Sequence, residues 1–212
     1  MTAAVRRSGG RAVGSCLALL LTVCPPDRLS AQVTLQPSLG FRYTSTLVHD
    51  SIVSAIAVRP ALAPALALTA ATPIKPGWSA EATVDFSWSH LARHEAGATV
   101  ELGGLSTLAV QFGFRRQLPA GLSGRFSVGG LKYLPSEQSG IFRAGAGGVF
   151  ALGGAAVSYV PAALQAGPWA FGVEARYDVH QFITGALRSQ GFTSSRTVHR
   201  VMLALSAARV GP

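Results

Sequence analysis

Apolar and polar residues alternate with a period of two along most of the chain beyond residue 32. Every second residue from Trp78 to Trp88 is apolar, and the residues between them are Ser, Glu, Thr or Asp. Helical spacing would bring Glu81, Asp85 and Trp88 onto one stripe, whereas strand spacing separates apolar from polar residues completely. The pattern therefore predicts strands with one apolar face. The three clearest segments lie at about residues 33–44, 78–89 and 169–180.

Weaker alternation fills the gaps between these segments and raises the number of predicted strands to eight. The weaker segments lie at about residues 52–71, 98–115, 121–133, 141–158 and 197–210. Short connections rich in Pro and Gly, at Pro73–Gly77 and Arg116–Gly121, predict tight turns at one end. Longer polar connections, at His90–Gly97, Leu134–Gly140 and Ile183–Ser195, alternate with them, and Gly153–Pro168 is too long for a tight turn. We therefore predict an all-β, antiparallel, up-and-down eight-stranded barrel.

The N-terminus has the three parts of a secretory signal peptide. A stretch with three arginines precedes an apolar run, Ala12–Cys24, and a small-residue cleavage site, Leu29–Ala31. We predict a signal peptide at residues 1–31 and one barrel domain at residues 32–212. A buried N-terminal helix and a lipoprotein signal at Cys24 are the alternatives.

Composition limits what can cover this surface. Only 13% of the residues are charged and 49% are hydrophobic, whereas soluble domains carry about 25% charged residues. No apolar run approaches the roughly 20 residues of a spanning helix. Without residues 1–31 the net charge falls from +9 to +6 and both cysteines are removed. The remaining charges are scattered, so no basic stripe indicates a nucleic-acid partner.

Three features indicate that the apolar face meets lipid. The opposite face of the second segment is almost all alanine, which suits a narrow lumen better than water. The other polar faces carry small Ser, Thr and Gly with isolated charges. Aromatic residues lie near both ends of the apolar face, as the girdles of a membrane barrel do. The loop-end set is Tyr43, Trp88 and Phe142, and the turn-end set is Trp78, Phe114 and Trp169.

With these features the chain resembles the small eight-stranded outer-membrane β-barrels of Gram-negative bacteria, over nearly all of residues 33–210. The resemblance implies export by a Sec-type signal and a place in the cell outer membrane. It also implies contacts with outer-membrane lipids and with the barrel assembly machinery, and a monomeric barrel. A soluble, exported, lipocalin-like ligand-binding barrel remains the alternative, because alternation does not say which face is inside.

The polar face of this barrel predicts a charged interior. We expect a structural interior polar network of Arg59, Glu81, Asp85, Glu101, Arg125, Glu174, Arg176 and Arg200. The same face carries Arg42, Arg115, Arg143 and Asp178. An eight-stranded interior is just wide enough to be filled by side chains, so a porin-like diffusion pore is not expected. Paired ions would plug the lumen; a gated ion path is the alternative.

Catalysis is the competing function, because lipid-modifying enzymes occur among similar barrels. His49-Asp50-Ser51 resembles the His-x-Ser spacing of outer-membrane lipid A deacylases, but it lies in the first loop. A second candidate set is His90 or His94 with Glu95, Ser87 and Ser89. Polar loops of this composition are common in turns, so we expect a structural or interaction role without enzymatic activity. No spacing of histidines predicts a metal site, and no cofactor is expected.

Overall fold

The computed structural model describes residues 33–50, 56–95, 97–137, 140–143 and 147–209. The predicted signal peptide at residues 1–31 lies outside the described residues, and so does Ser51 of the first catalytic candidate. No helix in these ranges is both long enough and apolar enough to cross a bilayer.

Eleven strands and one short helix make up the regular structure of the described ranges. The strands are β1 (Thr34–Thr44), β2 (Val48–Asp50), β3 (Ile56–Pro60), β4 (Ala63–Lys75), β5 (Trp78–Glu95), β6 (Ala98–Gln117), β7 (Leu122–Pro135), β8 (Phe150–Tyr159), β9 (Gln165–Ala166), β10 (Trp169–Phe182) and β11 (Arg196–Arg209). The helix is α1 (Gly185–Ser189), and single 3-10 turns lie at Pro119–Gly121, Gly140–Phe142 and Ala162–Leu164.

Eight of the strands close into a ring in which each is antiparallel to both neighbours. The order around the ring is β1, β4, β5, β6, β7, β8, β10 and β11. β11 then pairs with β1, with Ser38 opposite Ser206 and Thr44 opposite Arg200, so the ring has no free edge. The predicted antiparallel up-and-down eight-stranded barrel is confirmed.

Three short strands add to these eight. β3 pairs with the loop-end part of β5 above β4, so β3 and β4 together occupy the second position of the barrel. β2 pairs with β3 and extends the sheet beyond the ring. β9 pairs with the start of β10 at the turn end. The hairpin of β5 and β6 also continues past β4, because its pairing runs up to Glu95 and Ala98.

Two predicted boundaries at the loop end are wrong. The sixth segment begins at Phe150 and not at residue 141, because Gly140–Phe142 forms a 3-10 turn within the loop after β7. Residues His90–Glu95 belong to β5 and not to a loop. The Gly- and Ala-rich stretch before Phe150 carries too few side chains for its periodicity to locate a strand end.

A one-residue irregularity separates β3 from β4 and overturns the prediction for Arg59. Pro60 pairs with Leu91 and Ala65 with Ser87, so one strand has one more residue than its partner between these pairs. An extra residue exchanges the inward and outward positions of everything beyond it. Arg59 is therefore exposed on the outer face, although the unbroken alternation predicted it to lie inside.

A bulge in β6 corrects the prediction for Glu101 in the same way. His90 pairs with Gly104 and Ala92 with Glu101, which leaves one additional residue in β6. Gly103 lies within this bulge with φ of 95°, a backbone conformation that favours glycine. The alternation of inward and outward positions along β6 reverses at this point. The Glu101 side chain is therefore exposed outside the barrel.

Candidate functional site: the barrel lumen

The wall of the barrel separates an apolar outer face from a polar inner face, as β10 shows most regularly. Its outward positions from Trp169 to Val179 are apolar, whereas the inward positions include Glu174, Arg176 and Asp178. With a rise of about 3.4 Å per residue and a tilt of about 40°, this apolar stretch spans about 26 Å along the barrel axis. That height matches the apolar band of about 25 Å in membrane barrels.

Asp85 is the centre of an ion cluster at mid-height of the lumen. The two guanidinium Nη atoms of Arg42 contact both carboxylate oxygens of Asp85. Arg176 Nη1 lies 3.2 Å from Asp85 Oδ2, and Arg200 Nη2 lies 3.9 Å from Asp85 Oδ1. All four side chains are at most 2% exposed. Three arginines from β1, β10 and β11 thus converge on one carboxylate of β5.

A second ion cluster fills the lumen toward the turn end. Arg115 Nε lies 2.6 Å from Glu81 Oε1, and Arg125 lies within 3.7 Å of both Glu81 and Glu174. Arg176 Nη2 approaches Glu174 Oε1 to 2.6 Å and joins the two clusters, because it also contacts the mid-height carboxylate. Arg115 is 13% exposed, so only this end of the network is accessible to water.

The loop end of the lumen is apolar and not charged. Tyr133, Phe142 and Phe182 are each 1% exposed and pack against one another with ring centroids 5.3–6.2 Å apart. The Tyr133 hydroxyl forms a 2.9 Å hydrogen bond with Nε2 of buried His180. Leu187 of α1 belongs to the same apolar cluster, together with residues from β2, β3, β5 and β6. The cluster closes the barrel above the ions.

The structure brings six of the eight predicted network residues together inside the barrel. These are Glu81, Asp85, Arg125, Glu174, Arg176 and Arg200. Arg59 and Glu101 are not among them, for the reasons of register given above. Arg143, also predicted to be interior, is exposed beside the 3-10 turn. Phe142, predicted for the outer aromatic girdle, lies inside because its segment is not a strand.

The predicted network omitted two kinds of inward residue, uncharged polar residues and an aromatic one. Gln111 and Thr107 complete it, since Gln111 donates to Asp178 at 2.9 Å and Thr107 accepts from Arg200 at 2.8 Å. Tyr133 of the apolar cluster was also missed. It has the same parity as Arg125 on β7, so continuing the alternation would have located it. The contribution of loop residues to the cluster has no comparable signal in the sequence.

Among the described residues, the second set of catalytic candidates is not assembled into a site. Ser87 faces inward and shares a 2.7 Å hydrogen bond with Thr107, whereas His90 is exposed on the other face of the same strand. Nε2 of His94 accepts a 3.0 Å hydrogen bond from Arg59, and Glu95 forms an ion pair with a neighbouring arginine. In the described part of the chain, no three His, Cys, Asp or Glu side chains are grouped as metal ligands would be.

Comparison with known proteins identifies the fold through solved structures only. No protein-family model and no curated protein sequence matches the chain. Neisserial surface protein A, known from a crystal structure, shares 10% sequence identity with this chain at a TM-score of 0.51. The match covers 84% of this chain and 97% of that one. The solid-state NMR structure of outer membrane protein AlkL in DMPC bilayers is 11% identical, with a TM-score of 0.52 and coverage of 84% and 90%. The chain therefore has the fold of the small eight-stranded outer-membrane β-barrels.

Proposed function

We propose that this chain is an integral outer-membrane barrel without catalytic activity, which acts through its loops and its lipid contacts. The apolar outer band of about 26 Å supports a membrane position, because it would be a costly surface in water. Export by the predicted signal peptide, insertion by the barrel assembly machinery and a monomeric state belong to the same proposal. A soluble ligand-binding barrel would instead place its apolar face inside, where this one has ion clusters.

The observation that carries the proposal is the double obstruction of the lumen. Arginines and carboxylates fill it at mid-height, and the apolar cluster around Tyr133 and Phe182 fills it at the loop end. A hydrated ion crossing the barrel would have to separate buried ion pairs and then pass apolar side chains, and both steps are costly. We therefore propose that the interior supports the wall and conducts no solute.

With the lumen closed, the surface that remains for interaction with partners is the loop-end part of the sheet that extends beyond the ring. The outer face of the sheet formed by β2, β3, β5 and β6 carries His49, Arg59, His94 and Thr99. Arg59 and Thr99 both form hydrogen bonds with the His94 ring, at 3.0 Å each, so this polar face is organised. Because long loops of such barrels face the cell exterior, we propose it as the contact surface for partners.

Extraction and conductance measurements test the membrane and non-conducting parts of the proposal. The expressed chain should leave the membrane fraction only with detergent, and its gel mobility should change on heating. In a planar bilayer it should give no steady conductance steps, while a general porin prepared identically provides the positive control. Solubility without detergent would refute the membrane position, and reproducible conductance steps would refute the closed lumen.

The absence of catalysis needs a separate test, since the first candidate motif includes a residue outside the described ranges. Lipids extracted from cells that express the chain should have the same acyl-chain masses as lipids from cells that express His49→Ala or His94→Ala. A mass change that is present with the natural sequence and abolished by either substitution would identify an enzyme.

A further inference from the structure

A cavity opens on the outer wall of the barrel where the two strand irregularities lie side by side. It has a volume of about 580 Å³, and we call it the rim notch. It is lined by Leu62 at the break between β3 and β4, by Phe86, Trp88 and His90 of β5, by Ser106 of β6 and by Leu134 of β7. Bulges bend a strand and interrupt its pairing, so two of them at one level leave a recess in an otherwise smooth wall.

The rim notch has an apolar part and a polar part. Leu62, Phe86 and Trp88 are all exposed to the outside and line its apolar part. His90 and the hydroxyls of Ser106 and Ser136 line the polar part. Tryptophan is enriched where the apolar band meets the headgroups, so Trp88 places the notch at the loop-end interface of the membrane.

A single lysine stands on the lipid-facing wall beside the notch. Lys132 is an exposed, outward residue of β7, in register with Leu108, which is in register with Phe86. Leu134, the next outward residue of β7, lines the notch. Within the described residues no carboxylate forms an ion pair with Lys132. A lysine at this depth can extend its ammonium group toward the headgroup region. That direction leads toward Leu134, which is part of the lining of the notch.

We infer that the rim notch binds an anionic, phosphate-bearing lipid of the loop-end leaflet. Its phosphate lies between the Lys132 ammonium group and the polar lining at His90 and Ser106, and an acyl chain follows Leu62 and Trp88. The occupant is a lipid because the notch opens within the apolar wall, where lipid is the surrounding medium. It is anionic because Lys132 has no carboxylate counterion among the residues that the structure describes. The inference rests on the proposed membrane position.

Quenching of Trp88 fluorescence by brominated lipids tests the site. The full chain carries Trp78→Phe and Trp169→Phe, so that Trp88 is its only tryptophan. It is reconstituted in phosphatidylcholine vesicles that contain about 10% phosphatidylglycerol, with bromine on the acyl chains of either lipid at equal total bromine. Enrichment of the anionic lipid at the notch should make quenching by brominated phosphatidylglycerol at least about twofold stronger than quenching by brominated phosphatidylcholine.

Charge substitutions assign this preference to the notch. Lys132→Met should equalise the two lipids and Lys132→Glu should reverse the preference, whereas Arg196→Met should preserve it. Arg196 is the control because it is an exposed cation at the loop end of β11, opposite Phe182 at the mouth of the barrel and away from the notch. Two results overturn the inference. One is equal quenching by the two brominated lipids in the protein that retains Lys132. The other is a preference for phosphatidylglycerol that persists after Lys132→Met in a barrel whose gel mobility still changes on heating. Failure of the membrane position itself would appear differently, as weak quenching by both lipids.

Discussion

Replacing Asp85 with asparagine should destabilise the barrel more than any other single polar substitution in the lumen. The change preserves the size of the side chain and removes its charge. Arg42, Arg176 and Arg200 would then face one another at the centre of the barrel without the carboxylate that all three approach within 4 Å. A buried charge that loses its partner is more costly than the pair was favourable, because its desolvation is no longer compensated.

The size of this effect follows from the contacts. An ion pair at about 4 Å is worth about 4 kcal/mol at an effective dielectric constant of about 20. Asp85 makes one bidentate contact and two further contacts at 3.2 and 3.9 Å, and the cost of burying the carboxylate offsets part of this attraction. Breaking a buried pair from one side costs about 3–5 kcal/mol. We expect a loss near the upper end of that range for Asp85→Asn.

Equilibrium unfolding in urea provides the measurement, with the barrel reconstituted in lipid and its tryptophan fluorescence followed. Asp178→Asn is the matched control, because Asp178 is equally buried but contacts Gln111 and forms no ion pair within 4 Å among the described residues. Its loss of unfolding free energy should be smaller by at least about 2 kcal/mol. Equal losses for the two variants, or a loss below about 1 kcal/mol for Asp85→Asn, would refute the central place given to Asp85.

Four further substitutions test the seam and the apolar cluster with the same unfolding assay. Gly40→Ala should cost about 1–3 kcal/mol, because a Cβ there would lie 2.0 Å from the Leu203 carbonyl oxygen across the closing seam. Gly153→Ala, with no atom within 4 Å of the added Cβ, should cost far less, and comparable losses would contradict the seam argument. Phe142→Ala should cost about 3–5 kcal/mol, because the ring is buried in the cluster; an unchanged midpoint would contradict this packing. Tyr133→Phe removes the hydrogen bond to His180 and should cost about 1 kcal/mol, and no measurable change would mean that the bond adds no net stability.

The architecture was accessible from the sequence because the alternation is a direct physical signal. A strand between lipid and a packed polar lumen must change character at every residue, so the run from Trp78 to Trp88 and the run from Trp169 to His180 each specify a strand and its faces. The same parity placed Asp85, Glu174 and Arg176 inside before any partner was known.

The errors occurred where backbone irregularity breaks this parity. Arg59 and Glu101 follow the alternation in the sequence, but an extra residue between β3 and β4 and the bulge at Gly103 turn both outward. Phe142 was assigned to a strand that begins eight residues later, at Phe150. A bulge adds one residue without a strong compositional signal, and a Gly- and Ala-rich stretch has too few side chains to show a period.

The linear order of residues thus determined which positions face lipid and which face the lumen, because that choice depends only on local alternation and on what each face can tolerate. It could not determine which arginine meets which carboxylate. Arg42 and Asp85 lie on strands of the first half of the chain and Arg176 and Arg200 on its last two strands, and the two halves meet here only when β11 closes on β1. The rim notch likewise exists only because two bulges on different strands come to the same height. Both features depend on register between strands, which tertiary closure decides.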